Sequence, residues 1–167
     1  MPTSTAVTLA LLATACAADR AEHADHARAA DLAERTMTAS VPDSLLLRLI
    51  VPGEVRAGRR VPLTLTIENR GTRPLDLYLR GRGITVDVEV ARAGGEVVWR
   101  RLEGEIIPAI LHLRTLAPGE RLEVEVEWDQ RTAGGAPVAP GAYLARALLL
   151  VEGDPWATEW VAFRIGG

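Results

Sequence analysis

The chain has no lysine. All 19 of its basic residues are arginine, set against 22 acidic ones for a net charge of −3. That balance leaves no electrostatic footprint for nucleic acid, whose binding needs clustered cations to displace counterions from phosphate. Asparagine and glutamine occur once each, at Asn69 and Gln130. With abundant Ala, Arg, Gly and Val, this is the composition of a GC-rich bacterial coding sequence, and it accounts for the arginine excess without a functional role. Arginine surfaces still differ from lysine surfaces, because the planar fork pairs bidentately with carboxylates. The one cysteine is Cys16; an intrachain disulfide and a cysteine-based metal site are both excluded. No stretch reaches the roughly 18 consecutive apolar residues of a membrane-spanning helix.

The scarcity extends to catalytic side chains. Beyond residue 42 the chain has one histidine, His112, and one serine, Ser44, too little for a Ser-His-Asp arrangement. A thiol nucleophile would have to be Cys16, which lies in the leader. Gly94-Gly95 and Gly81-x-Gly83 do not cradle phosphate, since no helix follows them. Asp154 with Glu152 offers too few oxygens for calcium. His23 and His26 could share a helical face, but no third ligand stands nearby. No catalytic residue, metal site or cofactor is expected.

What is present falls into three parts. Residues 1–16 read as a signal peptide. The apolar run Ala6–Ala15 has the length of a signal core, and Leu11-Leu12-Ala13-Thr14-Ala15-Cys16 resembles a bacterial lipobox, in which the cysteine carries lipid. The expectation is a lipoprotein held to the cell envelope through Cys16; a secreted or a cytoplasmic form is the alternative. Residues 17–42 are Ala-rich and charge-mixed. Asp25 with Arg28 and Asp31 with Arg35 have helical pair spacing, but only Leu32 and Met37 are large and apolar, so no face can be buried. They read as a flexible or partly helical tether.

Residues 43–167 carry the fold. Short alternating segments end in turn residues, the mark of half-buried strands. Strands are expected at Leu45–Val51, Val61–Glu68, Leu75–Arg80, Ile84–Ala91, Glu96–Arg100, from Arg121 to Trp128, from Tyr143, and at Ala157–Ile165, the last closing the sheet. Gly104–Thr115 is less regular, and His112 is expected to point off the core. Strict alternation in the strand from Arg121 puts Leu122, Val124, Val126 and Trp128 inward and Glu123, Glu125 and Glu127 outward, a charged row that protects an edge from aggregation. With no convincing helix after residue 40, the domain reads as an all-β, immunoglobulin-like antiparallel β-sandwich. Trp128 belongs to its core. Trp156 and Trp160 form a candidate exposed aromatic surface, since Trp with Arg is the composition of binding hot spots.

The domain resembles the BsuPI-like family of intracellular proteinase inhibitors over about residues 59–150. The marks, in order, are Leu65-x-Ile67-x-Asn69-x-Gly71-Thr72-x-Pro74-Leu75; Gly83 followed by Asp87; Gly95-Glu96-Val97-Val98-Trp99-Arg100; Leu116-x-Pro118-Gly119-Glu120; Val126-x-Trp128; and Pro140-Gly141-x-Tyr143. Val86 and Arg101 depart from the family pattern, which has aromatics there. The resemblance implies a non-catalytic domain whose partner is a protein, in the inhibitor reading a serine protease. The candidate inhibitory loop is Asp129–Ala139, with Asp129, Gln130, Arg131 and Thr132 at its start. Arg131 suits an enzyme that reads a basic residue, while Gly134-Gly135 argues for a loose loop. The alternative is an envelope-anchored structural or protein-interaction module without inhibitory activity.

Overall fold

The structure is a computed structural model and describes residues 41–167. The leader and lipobox, Cys16, His23, His26 and all of the tether before Val41 lie outside the described residues.

Eleven strands are formed: β1 (Leu45–Ile50), β2 (Glu54–Arg56), β3 (Val61–Asn69), β4 (Leu75–Arg80), β5 (Val86–Arg92), β6 (Val97–Arg100), β7 (Leu111–Leu116), β8 (Arg121–Trp128), β9 (Gly141–Leu149), β10 (Trp156–Ala157) and β11 (Val161–Gly166). There is no helix among the described residues. One sheet runs β1-β3-β8, a second β2-β11-β9-β5-β6 with β10 beside β9, and a third pairs β4 with β7. β4 also leans on the chain leaving β9. The Arg80 N–H donates to the Leu150 carbonyl at 3.0 Å and the Glu152 N–H to the Tyr78 carbonyl at 2.8 Å.

The alternating apolar residues meet in one core. Val61, Leu63, Leu65 and Ile67 of β3 and Trp128 of β8 pack in a single cluster with Val86, Val88 and Val90 of β5, Tyr143, Ala145, Ala147 and Leu149 of β9, and Phe163 and Ile165 of β11. Trp128 is fully buried. Its ring lies 6.1 Å from Trp99, 5.9 Å from Tyr143 and 6.3 Å edge-on from Phe163. Aromatic pairs at such spacings add about 0.5–1.5 kcal/mol each beyond area burial.

Three features depart from the sequence reading. β2 was not foreseen: three residues between a Pro-Gly turn and an Arg-rich turn carry no periodicity. It pairs with β11 in parallel, Val55 beside Ile165, so the antiparallel order has one exception and β11 is not the closing strand. Second, Leu111 and Leu113 are exposed, at 47% and 55%, whereas His112 is half-buried with its Nδ1 3.3 Å from the Gly81 carbonyl. The parity of β7 is thus the reverse of the expected one. β7 pairs only with β4, and its register sets His112 opposite the buried Leu79. Third, burial along β8 is graded. Leu122 and Val124 are half-buried, Val126 is buried and Trp128 fully so, because β8 is the outer strand of its sheet.

One buried polar knot joins two turns. The Asn69 side chain, fully buried, donates to the carbonyls of Arg73 at 2.8 Å and Leu116 at 3.0 Å and accepts from the Gly71 N–H at 2.9 Å. Its backbone exchanges bonds with Glu120 and Gly119. The Asn-x-Gly-Thr-x-Pro and Leu-x-Pro-Gly-Glu marks are therefore two halves of one joint.

Candidate interaction loop

The loop between β8 and β9 is held by hydrogen bonds at nearly every step. The Thr132 N–H donates to the Ala136 carbonyl at 2.8 Å, and the Gly135 N–H to the Thr132 carbonyl at 2.8 Å. The Ala136 N–H reaches Thr132 Oγ1 at 3.2 Å. Gly135 has φ 81°, the left-handed region that glycine adopts without cost. The tip is fastened sideways, as the Ala133 N–H donates to the Val98 carbonyl of β6 at 3.0 Å. The returning arm is fastened by Val138, which is buried in the core, and by the Tyr143 hydroxyl, which donates to the Ala139 carbonyl at 2.6 Å. The glycine pair argues for looseness in isolation; in place it forms the closed end of a braced hairpin.

The four residues at the loop's start take different positions. Asp129 and Arg131 are exposed, and Thr132 is half-buried. Asp129 Oδ1 accepts from the Arg131 N–H at 3.2 Å, and the two side chains form an ion pair at 3.8 Å. Arg131 Nη1 donates to the Gly135 carbonyl at 2.6 Å, and the Arg131 carbonyl accepts from the Trp128 indole N–H at 2.8 Å. Gln130 is 3% exposed and has φ 60°, left-handed for a residue with a side chain. Its Oε1 accepts from the Gly58 N–H at 2.8 Å and its Nε2 donates to the Arg56 carbonyl at 2.9 Å. Its own carbonyl accepts from the Val138 N–H at 2.9 Å. The side chain thus ties the loop to the turn between β2 and β3. Sequence pattern gave no sign of this role. A groove of about 320 Å³ runs beside the loop, with Trp99, Arg100, Arg101, Asp129 and Arg131 among its walls.

The tryptophan surface is less uniform. Trp160 is 37% exposed, and the Arg146 guanidinium lies 4.6 Å from its ring centroid. Trp156 is half-buried and packs against the core, with its indole nitrogen buried and unpartnered among the described residues. Arg146 also begins an ionic ladder across the outer face of the larger sheet. It pairs with Glu89 at 2.7 Å; Glu89 pairs in turn with Arg100, which reaches Asp87 at 3.6 Å. Glu89 is buried at 4% exposure, so two arginines compensate its charge. Asp87, one of the resemblance marks, accepts the N–H groups of Val88 at 2.8 Å and Leu102 at 3.0 Å and so stops β6. This network needed the cross-strand register of β5, β6 and β9, which no single strand reveals. Among the described residues no three His, Cys, Asp or Glu side chains gather as a metal site.

No curated protein is significantly similar to the chain. Some solved structures overlay part of the chain at low identity. The Pseudomonas fluorescens alkylpurine DNA glycosylase AlkC, bound to DNA containing an abasic site analog, is 18% identical over 74% of this chain and 31% of its own, with a TM-score of 0.43. A Listeria innocua beta-glucosidase in complex with glucose is 16% identical over 74% of this chain and 16% of its own, at 0.43. A CARDB domain from Pyrococcus furiosus is 14% identical over 73% of this chain and 94% of its own, at 0.38. The chain thus spans under a third of the two enzymes it overlays. The sequence model of BsuPI, described as intracellular proteinase inhibitor, matches residues 52–153. That span holds the Asn69 joint, Asp87 of β5, the Trp128 core and the braced loop, and over it the chain belongs to the BsuPI family.

Proposed function

We propose that this domain inhibits a proteinase by protein–protein contact, performing no chemistry of its own, and that the loop 129–139 is the part that docks. The bracing of that loop carries the reading. A loop already held in one shape loses little conformational freedom on binding, and affinity rises accordingly. Gln130, Trp128, Val138 and Tyr143 supply that rigidity where a disulfide-poor domain has no covalent brace. Arg131 keeps its side chain outward while its carbonyl is held by the Trp128 indole. The carbonyl of the bond after it is therefore already engaged, and Arg131 is held in a bridge to Pro137.

The scaffold reading is immunoglobulin-like. Two layers share one core, and Tyr143 at the start of β9 bonds back to a carbonyl four residues upstream, as a tyrosine corner does. Incubation of the purified protein with trypsin and with subtilisin tests the function. The expected outcome is stoichiometric loss of protease activity with the chain intact. Ordinary cleavage after Arg131 with full protease activity would refute it. Attachment to the envelope through Cys16 is a separate part of the proposal, supported by the position of the chain's one cysteine in a lipobox-like leader. In cell fractionation, Cys16→Ala should move the protein from the membrane pool to the soluble pool; an unchanged distribution removes the anchor.

A further inference from the structure

We infer that the docking surface has a second arm, the turn Arg56–Arg60, and that this arm recognises an acidic patch on the proteinase; the inference rests on the inhibitory reading of loop 129–139. Gln130 is the observation behind it. Its amide spans from the loop to the turn and bonds the backbone there twice, to Gly58 and to Arg56. The turn is closed by the Arg59 N–H on the Arg56 carbonyl at 3.1 Å and anchored by the Ala57 N–H on the Gly166 carbonyl at 2.9 Å. Loop and turn are thus joined through one buried amide, so a protein that docks on the start of the loop can reach the turn that Gln130 holds.

Loop and turn together have a charge of one sign in excess. Arg56, Arg59, Arg60 and Arg131 are all exposed, against Glu127 and Asp129. Glu127 is paired with Arg60 at 2.8 Å, with both side chains more than half exposed, and Asp129 with Arg131. Among the described residues Arg56 and Arg59 have no ion-pair partner, and both are exposed on a protein whose net charge is −3. A local field opposite to the molecule's overall charge orients an approaching partner. The chemistry that matches a pair of guanidinium forks is carboxylate. Charges at the rim of a contact act chiefly on the association rate and make it salt-dependent, whereas buried positioning groups act on dissociation.

The test uses the full-length chain with trypsin and subtilisin as probes, and measures association and dissociation rates at low and high salt. The variant Arg56→Glu/Arg59→Glu should associate roughly tenfold more slowly at low salt and lose most of the salt dependence, with its dissociation rate unchanged. Arg56→Lys/Arg59→Lys should restore the wild-type association rate. Gln130→Ala keeps every charge and cuts the brace, and should dissociate roughly tenfold faster with the salt dependence intact. If the double Glu variant associates like wild type at both salts while the loop still inhibits, the second arm is refuted and the inhibitory reading stands. A Lys variant as slow as the Glu variant would refute charge recognition in the same way. If wild type inhibits neither probe, the inhibitory reading fails and this inference fails with it.

Discussion

Asn69 and Gln130, the chain's one asparagine and one glutamine, are both buried and both join segments that are far apart in sequence. Asn69→Ala leaves the carbonyls of Arg73 and Leu116 and the N–H of Gly71 without their partner. A buried polar group left unpaired costs about 1–3 kcal/mol, so urea titration should show a loss of about 2–4 kcal/mol. The apolar side chains separate in the same graded way. Leu65 is 1% exposed in the central strand of its sheet, and Leu65→Ala should cost about 2–5 kcal/mol. Val124, half-buried on the outer strand, should cost less than half as much when changed to Ala. Strict alternation put both side chains on one face, and that was right. It could not say that β8 is an outer strand and that its face closes over only toward Trp128.

At the scale of elements, turns and edges decide. Gly95 has φ 90° and serves the β5–β6 turn as its position in a Gly-Gly pair suggests. Gly71 has a different reason. A Cβ there would meet the Ser44 Cβ at 2.9 Å and Asn69 Oδ1 at 3.1 Å, so it is needed for close approach of the β1 entry to the Asn69 joint. Gly71→Ala should lower the melting temperature by several degrees, at about 2–4 °C per kcal/mol for a chain of this size; Gly53→Ala, with open space around it, is the matched control and should leave it unchanged.

β7 is an edge that the sequence did not flag. Leu111, Leu113 and Tyr78 stand exposed together on the β4–β7 pair, Tyr78 directly opposite Leu113. Edges of this kind are aggregation sites unless charged, as β8 is by Glu123, Glu125 and Glu127 on its exposed face. Leu113→Arg should raise solubility on heating without shifting the melting midpoint, measured by light scattering beside circular dichroism.

For the whole molecule, the largest strand pairings join distant parts of the chain. β3 pairs with β8 and β5 with β9 across more than fifty residues. Loop-closure entropy must be overcome before such pairings gain anything, so folding should take milliseconds to seconds. Trp128, packed against three other aromatic rings, reports it by stopped-flow fluorescence; submillisecond folding would contradict this topology. What the sequence determined by itself was the all-β class, the places of most strands, the core faces and the family. Side-chain parity and turn chemistry are local, and local patterns survive in one dimension. Asn69 and Gly71 were likewise visible as marks, though without their reason. Only the tertiary structure decided the parallel pairing of β2 with β11, the reversed parity of β7, the Glu89 ladder and the bracing of loop 129–139. Each of these depends on which strand lies beside which, and on bonds such as those from Gln130 to Arg56 and Gly58 that cross more than seventy residues. A loop that reads as loose from its glycines is braced both by its own turn and by partners at Val98, Gly58 and Arg56 that its own sequence does not contain.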